Sequence, residues 1–486
     1  MNHFALRGRP WWGVAAGLAA LVAVATSAEA QYAGDVARWT AQDALDPPVQ
    51  GALLFVGSSS IRRWEELTLD FADYNVIQRG IGGAEFDNVV QYVNNIVLPY
   101  NPSAVVVWAG TNDLANGANA AEVIQDYQQF VSAVHSQQPG VDIVFLGIMP
   151  TPGRQSNLQR ENAVNSAIAN LAAANSKLHY IDLPAAFATL NPYGGAAFTS
   201  KFVDSIHLNR QGYDFWEGII RPQIKAIVAP NKVFTLNPNT PQPGSKILFD
   251  FGPIDSDDGL ATSSPDVRGN HWNNWHAAEG GVAVNAGEHK GNLIDTAGVP
   301  TGIDLTITAG FLTNGLRNGG LFSPSESLLG DLSVASATVD YFYSTADGVQ
   351  GGGDDDVGGG FMLDGLDPNL LYEFRFFGSR DATETRITEY AVTGVDRQAA
   401  LLQTSGNNIG ADGAYDGNND EVAVISGVRP DAFGQVFFDM TLKSGQFAYL
   451  NAMEVIVTGR VVPEPGMATL VVLCVLAACG KGRRRS

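Results

Sequence analysis

The chain reads as an α/β domain of three layers built on a parallel sheet, followed by an all-β sandwich or jelly-roll domain. Three observations predict this. At 486 residues it is too long for one ordinary core. In the first half, apolar runs alternate with longer amphipathic stretches at ~40–50 residues per repeat, the rhythm of strand-plus-helix units. In the second half, short strand-like segments are separated by Gly/Asn/Asp-rich turns, and much of the glycine (54 in all) falls there.

The elements follow in order. Ala52-Leu53-Leu54-Phe55-Val56, Ala104-Val105-Val106-Val107-Trp108-Ala109 and Ile143-Val144-Phe145-Leu146-Gly147-Ile148 are strands apolar on both faces, as in a parallel sheet covered by helices. Helices are expected over Ala121–His135 and Arg160–Asn175, with a shorter helical stretch over Ile61–Leu67. The first domain spans 31–229. Residues 230–245 form a linker, because Asn-Pro, Thr-Pro and Gln-Pro-Gly in close succession disfavour regular hydrogen bonding. The β domain spans 246–460, with strands expected at Ile247–Phe251, Ala337–Tyr343, Tyr372–Gly378, Gln435–Leu442 and Met453–Val457 and no long helix. Gly351-Gly352-Gly353-Asp354-Asp355-Asp356 is an acidic loop, read as solvated rather than as a calcium loop because it lacks the spaced ligands of an EF-hand.

Both ends read as targeting segments. Arg7 and Arg9 precede an apolar stretch from Trp11 to Val24, and Ala28-Glu29-Ala30 offers a small-x-small cleavage site, so residues 1–30 are a signal peptide. In 461–486, Val462-Pro463-Glu464-Pro465 leads into an apolar run from Met467 to Cys479 closed by Lys481-Gly482-Arg483-Arg484-Arg485. That run is short for a relaxed span of ~20 residues. Motif, run and basic stop together resemble the PEP-CTERM sorting signal of bacterial exported proteins. The resemblance implies recognition at the membrane by an export and sorting machinery, and delivery to the cell surface or extracellular matrix.

Net charge is −21. The first thirty residues carry +1 (Arg7, Arg9, Glu29) and the last twenty-one +4 (Lys481, Arg483, Arg484, Arg485), leaving a body near −26. Such a surface excludes nucleic acid as a partner and disfavours polyanionic substrates. The two cysteines, Cys474 and Cys479, both lie in the tail, so the body has neither a disulfide framework nor a thiol nucleophile. The seven histidines are scattered, which predicts no metal site and no cofactor.

Three polar blocks carry the chemistry. Gly57-Ser58-Ser59-Ser60-Ile61 supplies a hydroxyl at a sharp turn off the first strand, where a backbone amide at a helix start can meet an oxyanion. Gly110-Thr111-Asn112-Asp113 supplies a side-chain amide at the end of another buried strand. Asp204-Ser205-Ile206-His207 supplies a carboxylate and an imidazole three residues apart, able to fix a tautomer and accept a serine proton. A serine hydroxyl is a weak nucleophile until a base activates it, and ester hydrolysis through a covalent intermediate needs these parts together. Each block alone has a structural explanation: a polar turn, an Asx cap, a chance pair. By residue type alone, Ser58, Ser59 and Ser60 compete for the nucleophile.

In combination the blocks resemble the SGNH (GDSL-type) hydrolases over roughly Leu53 to Trp216, whose fold is flavodoxin-like. The resemblance implies Ser59 as nucleophile, Asp204 as orienting acid and His207 as general base. It also implies an oxyanion hole of the Ser59 amide, Gly83 (in Arg79-Gly80-Ile81-Gly82-Gly83) and Asn112. The family's usual Asp after the first glycine is Ser58 here. The Ser-Ser-Ile-Arg-Arg-Trp stretch and Asp113 look most like the branch that holds platelet-activating-factor acetylhydrolase subunits and bacterial carbohydrate deacetylases. The expected activity is that of an exported serine esterase on acyl esters, acetyl foremost, carried by a glycan. The alternatives are a lipid acylhydrolase or thioesterase, and an inert surface protein that binds carbohydrate or matrix. Membrane contact is expected only through the terminal segments.

In the second domain, Trp272 and Trp275 could form a platform for a sugar ring, or fill the sandwich core, which is the commoner fate of tryptophan. Phe249-Asp250-Phe251-Gly252 and Tyr449-Leu450-Asn451-Ala452-Met453-Glu454 are similar to galactose-binding or malectin-like sandwiches, which implies carbohydrate or matrix binding.

Overall fold

The computed structural model describes residues 32–190, 193–254, 259–277, 283–316, 319–345 and 358–461. The expected signal peptide, the Val462–Pro465 motif with its apolar tail, both cysteines and the Gly351–Asp356 loop lie outside the described residues. Among the described residues, no helix is long and apolar enough to cross a membrane.

Five parallel strands form the first sheet: β1 (Leu53–Gly57), β2 (Val76–Gly80), β3 (Ala104–Trp108), β4 (Asp142–Leu146) and β5 (Leu178–Ile181). Their order is β2-β1-β3-β4-β5, the flavodoxin-like arrangement, with β1 paired to β2 and β3 in parallel register. Every residue of β1 and β3 is buried, as their unbroken apolar runs require. The order reverses direction at β1, and a crevice at the carboxyl ends of the strands beside that point is where such sheets present chemistry. Ser59 follows β1 and Asn112 follows β3, both at those ends.

The helices that frame this site are α1 (Ser59–Arg62), α2 (Phe86–Gln91), α3 (Thr111–Asn116), α4 (Ala120–Gln137), α5 (Leu158–Ala174) and α6 (Arg210–Ile227). α4 starts at a capping box in which Asn119 accepts from the amides of Ala121 and Glu122, and it buries Val123, Tyr127, Phe130 and Val134 at helical spacing. The helical stretch expected over Ile61–Leu67 is broken: α1 ends at Arg62, and a separate turn of helix occupies Leu67–Asp70. Trp64, in the break, is fully buried, stacks on Tyr213 (5.6 Å between centroids) and meets Trp216 edge-on. Filling that aromatic space ends the short helix.

Residues 230–245 contain neither helix nor strand, yet they are pinned to the body. Asn231 accepts from the Asn75 amide and donates to the Gly51 carbonyl, and Lys232 pairs with Asp364. Beyond them, among the described residues, lie three sheets of six, four and five strands. Pairings in these sheets are antiparallel, except that Lys246–Pro253 runs parallel to Asn273–Ala277. Expected strands at 247–251, 372–378, 435–442 and 453–457 fall on observed ones. The expected strand at Ala337–Tyr343 falls on an observed one only over its last three residues: Ala335–Thr338 is a helical turn and the strand begins at Tyr341. Buried Ala337 and Thr338 gave that segment its strand-like look.

Trp272 and Trp275 are 2% and 6% exposed. Trp275 belongs to the apolar core between the sheets, and the Trp272 indole N–H donates to the Asp266 carboxylate at 3.0 Å. The sugar-platform reading is therefore corrected: neither ring offers a free face, and both fill the interior.

Candidate active site

The turn after β1 is shaped by two close approaches. Gly57 has φ +142°, and a Cβ there would lie 1.9 Å from the Trp108 carbonyl oxygen, so only glycine fits against β3. The Ser58 amide then donates to that same carbonyl at 2.9 Å, and the chain enters α1 with Ser59 as its first residue. As the first helical residue, Ser59 has an amide with no intrahelical acceptor. Ser58, which stands where an Asp is usual, is buried with its hydroxyl unbonded.

The Asp204–His207 loop closes over this turn. One Asp204 carboxylate oxygen accepts from the amides of Ile206 (2.6 Å) and His207 (2.7 Å). The other lies 2.7 Å from His207 Nδ1, and His207 Nε2 lies 3.0 Å from the Ser59 hydroxyl. With its Nδ1 proton donated to the carboxylate, the imidazole keeps Nε2 as an acceptor for the serine proton. Burial pushes the Asp204 carboxyl up, but the bonds from His207 and Ile206 outweigh it and leave the group below its ordinary value. Burial and then the Arg63 charge lower the His207 pKa, and Asp204 only partly opposes them. The lowering favours the neutral imidazole, the form a general base needs.

Neighbours hold the loop in place. Asn209 caps α6 by accepting from the Gly212 amide, and Tyr213, one turn into that helix, donates its hydroxyl to the Ser60 carbonyl at 2.9 Å. The Gly153 amide donates to the Ser205 carbonyl at 2.6 Å. Ser60 is 5% exposed and has no bond to His207, whereas Ser59 has one. Of the three competing serines, the structure brings only Ser59 to the imidazole.

On the other side, the Asn112 side-chain amide donates to the Ala84 carbonyl at 2.9 Å. An amide nitrogen carries two protons, so the second remains for another acceptor. Gly83 sits next to Ala84 with φ +79°, a conformation that favours glycine. Asp113 accepts from the Phe86 amide at 2.9 Å, so block two clamps the loop that leads into α2. Tyr213, Arg63 (3.8 Å from Asp204) and Arg154 (donating to Thr111 at 3.1 Å) complete the surroundings. Motif reading assigned these three no role, because their partners are remote in sequence. Among the described residues no group of three or more His, Cys, Asp or Glu could hold a metal.

This arrangement can deprotonate a hydroxyl and gather N–H donors near it, which is the equipment of acyl transfer. Residues 49–215 match the family model described as GDSL-like lipase/acylhydrolase. The rat (Rattus norvegicus) platelet-activating factor acetylhydrolase IB subunit alpha2 is 28% identical over 169 residues, covering 33% of this chain and 70% of the relative. Among solved structures, a GDSL-like lipase from Bacteroides thetaiotaomicron VPI-5482 is 21% identical with a TM-score of 0.33, covering 40% of this chain and 100% of that one. A Clostridium thermocellum family 3 carbohydrate esterase is 16% identical with a TM-score of 0.30, covering 36% and 96% respectively. Over residues 49–215 the chain is thus similar to the GDSL-like lipase/acylhydrolase family, whose chemistry is the hydrolysis of ester bonds.

Proposed function

We propose that the protein is an exported serine esterase that removes short acyl groups, acetyl foremost, from a carbohydrate, with Ser59 as nucleophile, His207 as general base and Asp204 as the acid that orients it. The observation that carries this reading is the unbroken path from the Asp204 carboxylate through His207 to the Ser59 hydroxyl, with contacts of 2.7 and 3.0 Å. Ser59 Oγ attacks the ester carbonyl carbon as its proton passes to His207 Nε2. The tetrahedral oxyanion is met by the Ser59 and Gly83 amides and by the free proton of the Asn112 amide. His207 then gives its proton to the departing alcohol and takes one from the water that hydrolyses the acyl-enzyme.

The acetyl preference is supported by the similarity to a relative named as an acetylhydrolase. The net charge of −21 disfavours a polyanionic carrier and leaves a neutral or weakly charged glycan as the alcohol part. Glycan binding by the C-terminal sheets belongs to the same reading, without Trp272 or Trp275. Export, sorting and surface or matrix delivery rest on the composition of residues 1–30 and 461–486.

The test is hydrolysis of p-nitrophenyl acetate, butyrate and octanoate, followed by acetylated oligosaccharides. Turnover that falls with acyl length and extends to the acetylated sugars is the expected result. Octanoate preferred over acetate would replace this reading with a lipid acylhydrolase, and no turnover of any ester would replace it with a binding protein.

A further inference from the structure

Arg62, the last residue of α1, is charged and only 8% exposed. Its guanidinium donates to the Asn285 side-chain oxygen, across a separation of 223 residues, and to Asp35 at 3.4 Å. Asn285 opens a turn, Asn285–Glu288, that reaches out of the C-terminal sheets into the hydrolase domain. The Glu288 carboxylate accepts from the Asn285 amide (3.1 Å), the Asn285 side chain (3.3 Å) and Arg38 (3.2 Å). Asp35, Asn285 and Glu288 are each no more than 6% exposed. A Cβ on Gly287 would lie 2.7 Å from the Gln78 carbonyl of β2, and the Gln78 side chain donates to the Ile61 carbonyl at 2.6 Å and the Trp64 carbonyl at 3.1 Å. The turn is thus packed directly against the strand that braces α1.

The same guanidinium supports the other wall of the site. A Cβ on Gly82 would lie 2.9 Å from Arg62 Nη1, and one on Gly80 would lie 2.2 Å from the Arg62 amide nitrogen. The Gly80–Gly83 loop is therefore laid over Arg62, with Ser59 three residues before that arginine and Gly83 at the loop's end. A buried charge holds one position only when its hydrogen-bond partners do, and removing one partner leaves it uncompensated.

The geometry points to Asn285 and Glu288 as positioning residues of the active site: through Arg62 they hold α1 and the Gly80–Gly83 loop in register, so the catalytic centre is complete only with the C-terminal region docked. This rests on the ester-hydrolase reading for its kinetic consequence, but not for its structural one. The C-terminal region is then a working part of the hydrolase.

The test uses the full chain and Asn285→Ala, Glu288→Gln and Lys232→Ala. Steady-state hydrolysis of p-nitrophenyl acetate is measured beside hydrogen exchange of peptides spanning 57–64 and 80–88. Asn285→Ala is expected to lower kcat about 10-fold or more, with KM within about twofold, because the misplacement acts on geometry and touches no substrate. Exchange in both peptides should rise, while Lys232→Ala, which breaks the separate pair with Asp364, should change neither. Glu288→Gln should move both readouts in the same direction by less, and it decides the matter if Asn285→Ala does not fold. Unchanged kcat, a fall in kcat with unchanged exchange, or an equal loss in Lys232→Ala would overturn the proposal. If the wild-type chain hydrolyses no ester, the functional reading fails, and the exchange data alone decide whether the turn holds the loop.

Discussion

The Ser59 hydroxyl and the His207 imidazole, 148 residues apart in the chain, meet at 3.0 Å because Tyr213 ties the helix after His207 to the carbonyl of Ser60. Ser60 therefore serves the site through its backbone and Ser59 through its side chain. Ser59→Ala is expected to lower kcat by at least about 10⁴-fold, as removal of a serine nucleophile does elsewhere. Ser60→Ala should retain activity to within about threefold, since its carbonyl remains to accept from Tyr213. Parallel kinetics on the two variants check the assignment, and activity surviving Ser59→Ala would sink it.

The pH profile follows from His207. Its pKa is lowered, chiefly by burial and then by Arg63, and the neutral form is the active one. Activity should thus be full above the ordinary histidine value of 6.5 and fall only as pH drops through the lowered one. Arg63→Gln removes a charge that disfavours the imidazolium, so the acid limb of kcat/KM should move up toward 6.5. A limb that stays put, or moves down, would mean that Arg63 does not act on His207.

Asn112 has two tasks, and they can be separated. Its bond to the Ala84 carbonyl is structural, and loss of such a bond costs about 1 kcal/mol of stability. Its remaining proton is assigned to the oxyanion, and Asn112→Ala should lower kcat about 10²–10³-fold. Thermal unfolding and kinetics on the same preparation distinguish the two. A variant that loses stability but keeps kcat would leave Asn112 as scaffold only.

Burial of the two tryptophans yields a stability prediction. Trp275→Ala should cost about 3–5 kcal/mol, the usual penalty for emptying a large aromatic site in a core. Trp272→Phe keeps most of the volume and removes the bond to Asp266, so about 1 kcal/mol is expected. Denaturant melts of the full chain measure both, and glycan binding by folded Trp272→Phe should equal that of the wild type.

The uneven legibility of the chain has physical reasons. β1, β3 and β4 stand out as apolar runs because both their faces are buried. β2 does not, since Gln78 and Arg79 lie within it; they are buried, but bonded to the Ile61 carbonyl, Tyr100 and Asp43. β2 is an edge strand of its sheet, and its polar residues make sense only once the Asn285–Glu288 turn is seen packed beside it. β5, Leu178-His179-Tyr180-Ile181, is short and half polar, which hid it too. The site residues were legible where chemistry constrains local spacing, as in Asp204 and His207. Arg62 with Asn285, and Tyr213 with Ser60, are long-range pairs that no local pattern encodes.

Asp113 carries the last prediction. It is 3% exposed; one carboxylate oxygen accepts from the Phe86 amide and the other has no partner. Burial raises its pKa to about 6, against the bond from Phe86 that would lower it. A carboxyl whose folded pKa exceeds its unfolded value binds more protons when folded, so its contribution to stability declines as pH rises between about 4 and 6. Two units correspond to roughly 2–3 kcal/mol across that window. Asp113→Asn keeps an oxygen for Phe86 but cannot ionise, so the difference in unfolding free energy between wild type and variant should change by that amount from pH 4 to pH 7, in the direction that favours the wild type at low pH. Denaturant melts at the two pH values measure it, and a pH-independent difference would show that the Asp113 carboxylate is ionised at no net cost in the fold.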